Sequence, residues 1–304
     1  LGLGTAQDST PFGAKTRDRV KQTTFGVGYE LRWRNVGELS LGVQKTSYSK
    51  RVDDPTNLIP ETKDSPWLYS ATAAVHLSKN LALYGGYVRG LEESDVAPAN
   101  ATNRNEAPPA IRTQQRDFGA RWTISPGVSA VFGYFDVQKP YFNLDSASRF
   151  RQLGSVRNRG LEFSLSGQIA SGVNLVVGSV YLDAEVSGEE VDLGLIGKKP
   201  VGTFKLHNVA NLNWNVPWHS PLTLTARFES TSNRTANAAN TLVIPARSVT
   251  SLGARYRLTI GNKQVLIRGT VDNIFNKFGW NVGGSGFFIP NGSRRYSLSL
   301  ATDL

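Results

Sequence analysis

Residues 24–33 read Thr-Phe-Gly-Val-Gly-Tyr-Glu-Leu-Arg-Trp, and every second one is apolar. Phe25, Val27, Tyr29, Leu31 and Trp33 therefore share one face of an extended strand, opposite Thr24, Gly26, Gly28, Glu30 and Arg32. A helix would scatter the same positions around its circumference. After Asn35-Val36-Gly37 the alternation resumes through Leu39, Leu41 and Val43, which predicts a hairpin. The pattern recurs to the end of the chain. Leu222, Leu224, Ala226 and Phe228 oppose Thr223, Thr225, Arg227 and Glu229, and Val265, Ile267 and Val271 oppose Gln264, Arg268 and Thr270. The fold class is all-β and antiparallel.

The connections alternate in length. Short turns fall at 78–80, 125–127, 171–172, 216–218 and 261–262, and polar connections at about 49–66, 91–112, 139–156, 187–203, 231–245 and 276–292 separate them. A soluble sandwich has no reason to gather its tight turns at one end and its long loops at the other. A transmembrane β-barrel does, with short periplasmic turns and long extracellular loops. Alternation alone suits a sandwich core equally well, but Trp33, Trp122, Trp214 and Trp218 all lie close to short turns, where a periplasmic aromatic girdle belongs. No stretch approaches the ~18 apolar residues of a spanning helix, which leaves spanning strands open.

Thirteen strands are expected, starting near 22, 38, 67, 81, 114, 128, 157, 173, 204, 219, 247, 263 and 293. Bacterial single-chain barrels close with even numbers. Either Leu1 to Ala6 begins a fourteenth strand or an N-terminal part precedes the chain, and counting back from the last strand puts residues 1–21 in an outer loop, which favours truncation.

Three segments carry a resemblance. Val271-Asp272-Asn273-Ile274-Phe275-Asn276-Lys277-Phe278-Gly279-Trp280 is similar to the penultimate strand of the TonB-dependent outer-membrane receptors, siderophore receptor branch. Gly154 to Leu165 resembles that family's Gly-x-x-x-x-x-Gly-x-Glu strand with Glu162 facing the lumen, and Asn80 to Gly90 its Leu-Tyr-x-x-Tyr strand. The resemblance implies that residues 1–304 are the C-terminal part of a barrel of about 22 strands. It also implies a plug domain that this chain does not contain, energy delivered by the TonB complex through that missing N-terminal region, and a place in the bacterial cell outer membrane. Members commonly end in Phe or Trp, whereas this chain ends in Leu304. The implied function is uptake of ferric siderophores or similar metal chelates. A passive pore or surface-binding barrel is the alternative, and a soluble β-sandwich binding module a third.

Residue chemistry agrees with a non-enzyme. There is no cysteine, so no disulfide framework, thiolate metal site or cysteine nucleophile. His76, His207 and His219 share no ligand spacing, Glu92, Glu93 and Asp95 lack the spacing of a calcium loop, and no Gly-x-Ser-x-Gly elbow occurs. No cofactor is expected, iron being carried within the chelate. The net charge of +10 comes from residues spread over polar faces and loops rather than one stripe, which argues against nucleic acid. Arginines among aromatics in the long loops suit a planar anionic chelate, through forked hydrogen bonds and ring contacts. The expected ligand-binding residues are Tyr141, Arg149, Arg151 and Arg157, lining an extracellular vestibule, with Arg112 and Phe287. Basic outer loops equally suit lipopolysaccharide phosphates.

Overall fold

The computed structural model describes residues 15–282 and 287–302. Leu1 to Ala6 and Leu304, on which two of the expectations above rest, lie outside the described residues. β1 (Arg17–Trp33) and β2 (Gly37–Asp53) form the first hairpin, in one unbroken register. The short β3 (Thr62–Asp64) pairs with the upper part of β2, and β4 (Trp67–His76) with its lower part. Then come β5 (Leu81–Glu92), β6 (Ile111–Ser125), β7 (Val128–Leu144), β8 (Phe150–Ala170) and β9 (Val173–Ser187). One helical turn, α1 (Glu189–Asp192), precedes β10 (Leu206–Asn215) and β11 (Leu222–Thr231). The small hairpin of β12 (Arg234–Thr235) and β13 (Val243–Ile244) leads to β14 (Arg247–Ile260) and β15 (Lys263–Asp272). A second small hairpin, β16 (Trp280–Val282) and β17 (Phe288–Pro290), leads to β18 (Arg295–Thr302).

Thirteen of these strands form one meander, β1-β2-β4-β5-β6-β7-β8-β9-β10-β11-β14-β15-β18, each antiparallel to the next, with β1 and β18 as its edges. Every expected strand is present. The tight turns work because Gly127, Gly172 and Gly261 take φ of 82°, 73° and 61°, conformations that side-chain-bearing residues adopt at a cost.

The register sorts the side chains into two faces. Phe118, Tyr134, Leu161, Tyr181 and Leu206 form one continuous row across five strands. On the opposite face the neighbouring row is Gly119, Gly133, Glu162, Val180 and His207. Glu162, Asp117, Arg121, Tyr84 and Glu30 line one concavity, so this second face is the inner one. The outer face leaves Phe25 at 76% and Leu298 at 79% exposed, a surface that water would penalise and hydrocarbon would cover.

Packed interior is scarce and lies above the wall. Leu153, Val156, Val186, Val191 and Ile196 form a cluster where the connection 188–205 folds over the tops of β8 and β9. Tyr48, Val52, Ala97, Ala101 and Ala110 are buried where the connection 93–110 meets β2.

One expected loop is mostly strand. β7 runs to Leu144 and β8 starts at Phe150, so only 145–149 of the span 139–156 is a connection. Leu153 is an extra residue between Gly154, which opposes Tyr141, and Gln152, which opposes Phe142. This bulge shifts the side-chain phase by one and hides the alternation from a period-2 reading.

Candidate ligand-facing mouth of the barrel

The mouth is built by connections tied down through ion pairs. Lys50, on β2, is 1% exposed. Its Nζ lies 2.7 Å from Glu93 Oε1 and 3.1 Å from Asp18 Oδ2, and donates to Ser94 O at 2.6 Å. A buried ammonium needs such partners, because an unpaired charge out of water is strongly disfavoured. The connection 93–110 is thereby fixed at its start. Farther along, Thr62 Oγ1 donates to Ala107 O at 2.6 Å, and Asn105 Nδ2 to Asp54 Oδ2 at 2.5 Å. The Asn105 bond, with further donors from the backbone and hydroxyl of Thr56, holds the Asp54 carboxyl well below the usual range. Glu92 accepts from Thr113 and pairs with Lys139, so Glu92 and Glu93 of the acidic segment are both committed to protein partners.

The same connection reaches the β7–β8 hairpin. Asn103 donates to Phe150 O at 2.9 Å and accepts from Phe150 N at 2.8 Å. Arg149 lies 3.4 Å from Glu106. Arg151 bridges two acids, Asp145 at 2.7 Å and Glu190 at 2.6 Å. Arg151 and then the Arg149 backbone N–H hold the Asp145 carboxyl below its ordinary value. Glu190 is 4% exposed and adjoins Val191 of the apolar cluster, so Arg151 connects the hairpin to the folded connection 188–205.

The expected ligand residues do not share one place. Arg149 and Arg151 lie at the mouth with side chains 56% and 43% exposed, each oriented by a carboxylate. Arg112 stands six residues from Phe118 on one regular stretch of β6, hence on the outer face, where it pairs with Asp64 at 2.6 and 3.2 Å and lowers the Asp64 pKa. Tyr141 packs against the apolar cluster, and its hydroxyl accepts from Asn143 Nδ2 at 2.8 Å, so it supports the mouth from beneath. Phe287 is 55% exposed beside β17. Arg157 is not on the vestibule side. It stands five residues from Glu162 on one regular stretch of β8, hence on the opposite face, and its Nε donates to Asp136 Oδ1 at 2.9 Å. Arg159 pairs with Asp183 on the same outer face, one row above the Phe118–Leu206 row. These charges mark where the apolar band ends.

Sequence reasoning missed Lys50, Asn103 and Glu190. All three act through tertiary partners more than 38 residues away in the chain, and the only local signal was that Lys50 falls in the inward phase of the β2 alternation.

Below the mouth, two of the family-like segments meet on the inner wall. Tyr84 of β5 lies across Gly119 and Gly133, where any side chain would collide with its ring, and Glu162 of β8 adjoins Gly133. Arg121 stacks over the Tyr84 ring at 4.9 Å.

The chain matches the family model described as TonB dependent receptor-like, beta-barrel, over residues 3–274. It is 24% identical over 233 residues to the ferrichrome receptor FcuA of Yersinia enterocolitica, covering 74% of this chain and 30% of that protein. Among solved structures, BauA, the ferric preacinetobactin receptor of Acinetobacter baumannii, aligns with a TM-score of 0.79 at 25% identity over 95% of this chain and 43% of its own. The siderophore receptor PiuA of the same organism aligns at 0.78 and 16% identity, over 94% and 43%, which supports the fold. The chain thus spans less than half the length of these relatives. The meander, its two faces and the family match over most of its length agree, and the chain belongs to the TonB-dependent receptors, as part of their β-barrel.

Proposed function

We propose that this chain is the C-terminal part of the barrel of a bacterial outer-membrane receptor that takes up ferric siderophores or similar anionic chelates, energised by the TonB complex acting on a plug outside this chain. The observation that carries the reading is the pair of half-exposed guanidiniums at the mouth, Arg149 and Arg151, each steadied by a carboxylate. A guanidinium has five N–H donors, and one or two bonds to an acid fix its plane while leaving donors free for a ligand. Such a site is pre-organised, so less rotamer freedom is lost on binding. Arg149 would contact the chelate, Arg151 would hold the hairpin that presents it, and Tyr141 would support that hairpin. Phe287 would cover apolar ligand surface. Arg112 and Arg157, on the outer face, are assigned to the lipopolysaccharide headgroup region instead.

Ferric siderophores titrated into the intact receptor that carries this chain test the reading. Changing Arg149 to Ala should weaken the transported chelate at least tenfold, at roughly 1.5–3 kcal/mol for its charge-assisted bond. Unchanged affinity would remove Arg149 from the site, and uptake that persists without TonB would favour the passive pore.

A further inference from the structure

Arg255 of β14 and Arg268 of β15 are directly opposed in register on the inner face. Directly opposed side chains have Cβ atoms about 5 Å apart, and like charges in that position repel. Neither arginine forms an ion pair among the described residues. The acids near them are engaged elsewhere, Glu229 by Arg227 at 3.0 Å and Asp272 by Arg295 at 3.0 Å. Arg255 makes one bond, from Nη2 to Asn213 Oδ1 at 3.2 Å, while its Nε is buried without a hydrogen-bond partner. A buried donor left unpaired is disfavoured on its own account. Two independent costs, a repulsion and an orphaned donor, thus meet at one place. That place is a cleft of ≈ 310 Å³, which Arg255 and Arg268 line together with Arg227, Asn213, Thr225, Thr270 and the Arg295-paired Asp272.

We propose that this cleft is an anion-binding site in the barrel wall, taking a carboxylate- or phosphate-sized group between Arg255 and Arg268. An anion there relieves the repulsion and accepts from the Arg255 Nε, with Asn213, Thr225 and Thr270 available as neutral partners. The site lies on the lower half of the wall. Each arginine is about six residues from the turn at 261–262, whereas the mouth residues sit at the opposite strand ends. It is therefore a second station for negative charge, separate from the vestibule. Fixed cations lining a water-filled passage select anions by the same logic.

The experiment uses inorganic phosphate as the probe and the intact receptor carrying this chain, in neutral detergent, with the thermal midpoint and isothermal titration as readouts. Phosphate should raise the wild-type midpoint. Arg268→Gln should raise the midpoint in phosphate-free buffer, because the repulsion is gone, and should remove the phosphate-dependent rise, with affinity at this site falling at least tenfold. Arg268→Glu, which pairs with Arg255, should give the higher phosphate-free midpoint of the two and also show no phosphate response. An equal phosphate response in wild type and Arg268→Gln overturns the proposal. So does a lowered phosphate-free midpoint in both variants, which would mean that a fixed acidic group of the protein already occupies the cleft. Siderophore binding is not among the readouts, so the result is independent of the proposed ligand.

Discussion

Asn273 grips both ends of the turn that ends at Lys277, accepting from the Lys277 backbone N–H at 2.8 Å and donating to the Lys277 carbonyl at 3.0 Å. It also donates to Gly292 O at 3.3 Å, across the connection between β15 and β18. Asn273 and Asn276 take φ of 53° and 50°, which asparagine tolerates better than most residues. The Asn-Ile-Phe-Asn-Lys run that carries the family resemblance is therefore a structural fastening at the strand end. Asn273 is 4% exposed, so Asn273→Ala leaves backbone groups unsatisfied where water reaches poorly. The expected loss is about 1–3 kcal/mol of unfolding free energy, read by urea denaturation in detergent. A loss under a few tenths would show that the turn holds without its asparagine.

The two faces of β11 should respond differently to charge. Phe228 pairs with Ala210 and Thr250 on the outer face, four residues above the Trp214 level, whereas Thr225 lines the inner cleft. Phe228→Arg should cost ~2–4 kcal/mol if that level is the bilayer midplane, and Thr225→Arg much less. Refolding into lipid vesicles with both variants measures the difference, and equal costs would contradict the assignment of faces.

Arg151 supports structure as well as presenting a charge. Arg151→Ala leaves the buried Glu190 without its cation. Limited proteolysis should then cut the connection 188–205 several-fold faster than in the native protein, while Arg149→Ala, whose partner Glu106 is half-exposed, should leave that rate unchanged. Equal protection in both would make the Arg151 bridge incidental.

Acid should loosen the mouth before the wall. The carboxyls of Asp54, Asp64 and Asp145 all titrate below their ordinary values. A carboxylate with a depressed folded pKa contributes stability that is fully present above the unfolded value, about 4, and is lost as pH falls through the folded one. Hydrogen-exchange protection, taken relative to free peptide at each pH, should be unchanged from pH 7 to 5 in the connections 54–61, 93–110 and 145–149 and fall below about pH 4. The strand amides should remain protected to lower pH. Loosening that begins above pH 5 would point to other groups.

The wall was legible in the sequence because each strand writes its two environments into consecutive residues. Phe25 to Trp33 and Leu222 to Glu229 carry that record without interruption. The mouth was not, for reasons visible in particular residues. Leu153 breaks the phase of β8, so Arg151 could not be placed on a face by counting, whereas Arg157, five residues from Glu162 with no bulge between them, could have been. Val191 and Ile196 join Val156 and Val186 through a connection with no periodicity of its own. Glu93, which pairs with Lys50, and Glu190, which pairs with Arg151, lie 43 and 39 positions away, a distance over which no local pattern speaks.

Strand length varies systematically around the sheet. β7, β8 and β9 have 17, 21 and 15 residues, whereas β10 and β11 have 10 each. About 10 tilted residues cross the hydrocarbon. At ~3.3 Å per residue the longest strand extends ~70 Å and the short ones ~33 Å, so half of β8 stands clear of the bilayer while β10 and β11 end near its surface. The rim is a slope with a parapet on one side. The tall side lifts the 145–149 hairpin well clear of the lipid headgroups, whereas on the low side the opening is bordered by the β12–β13 hairpin close to the membrane surface.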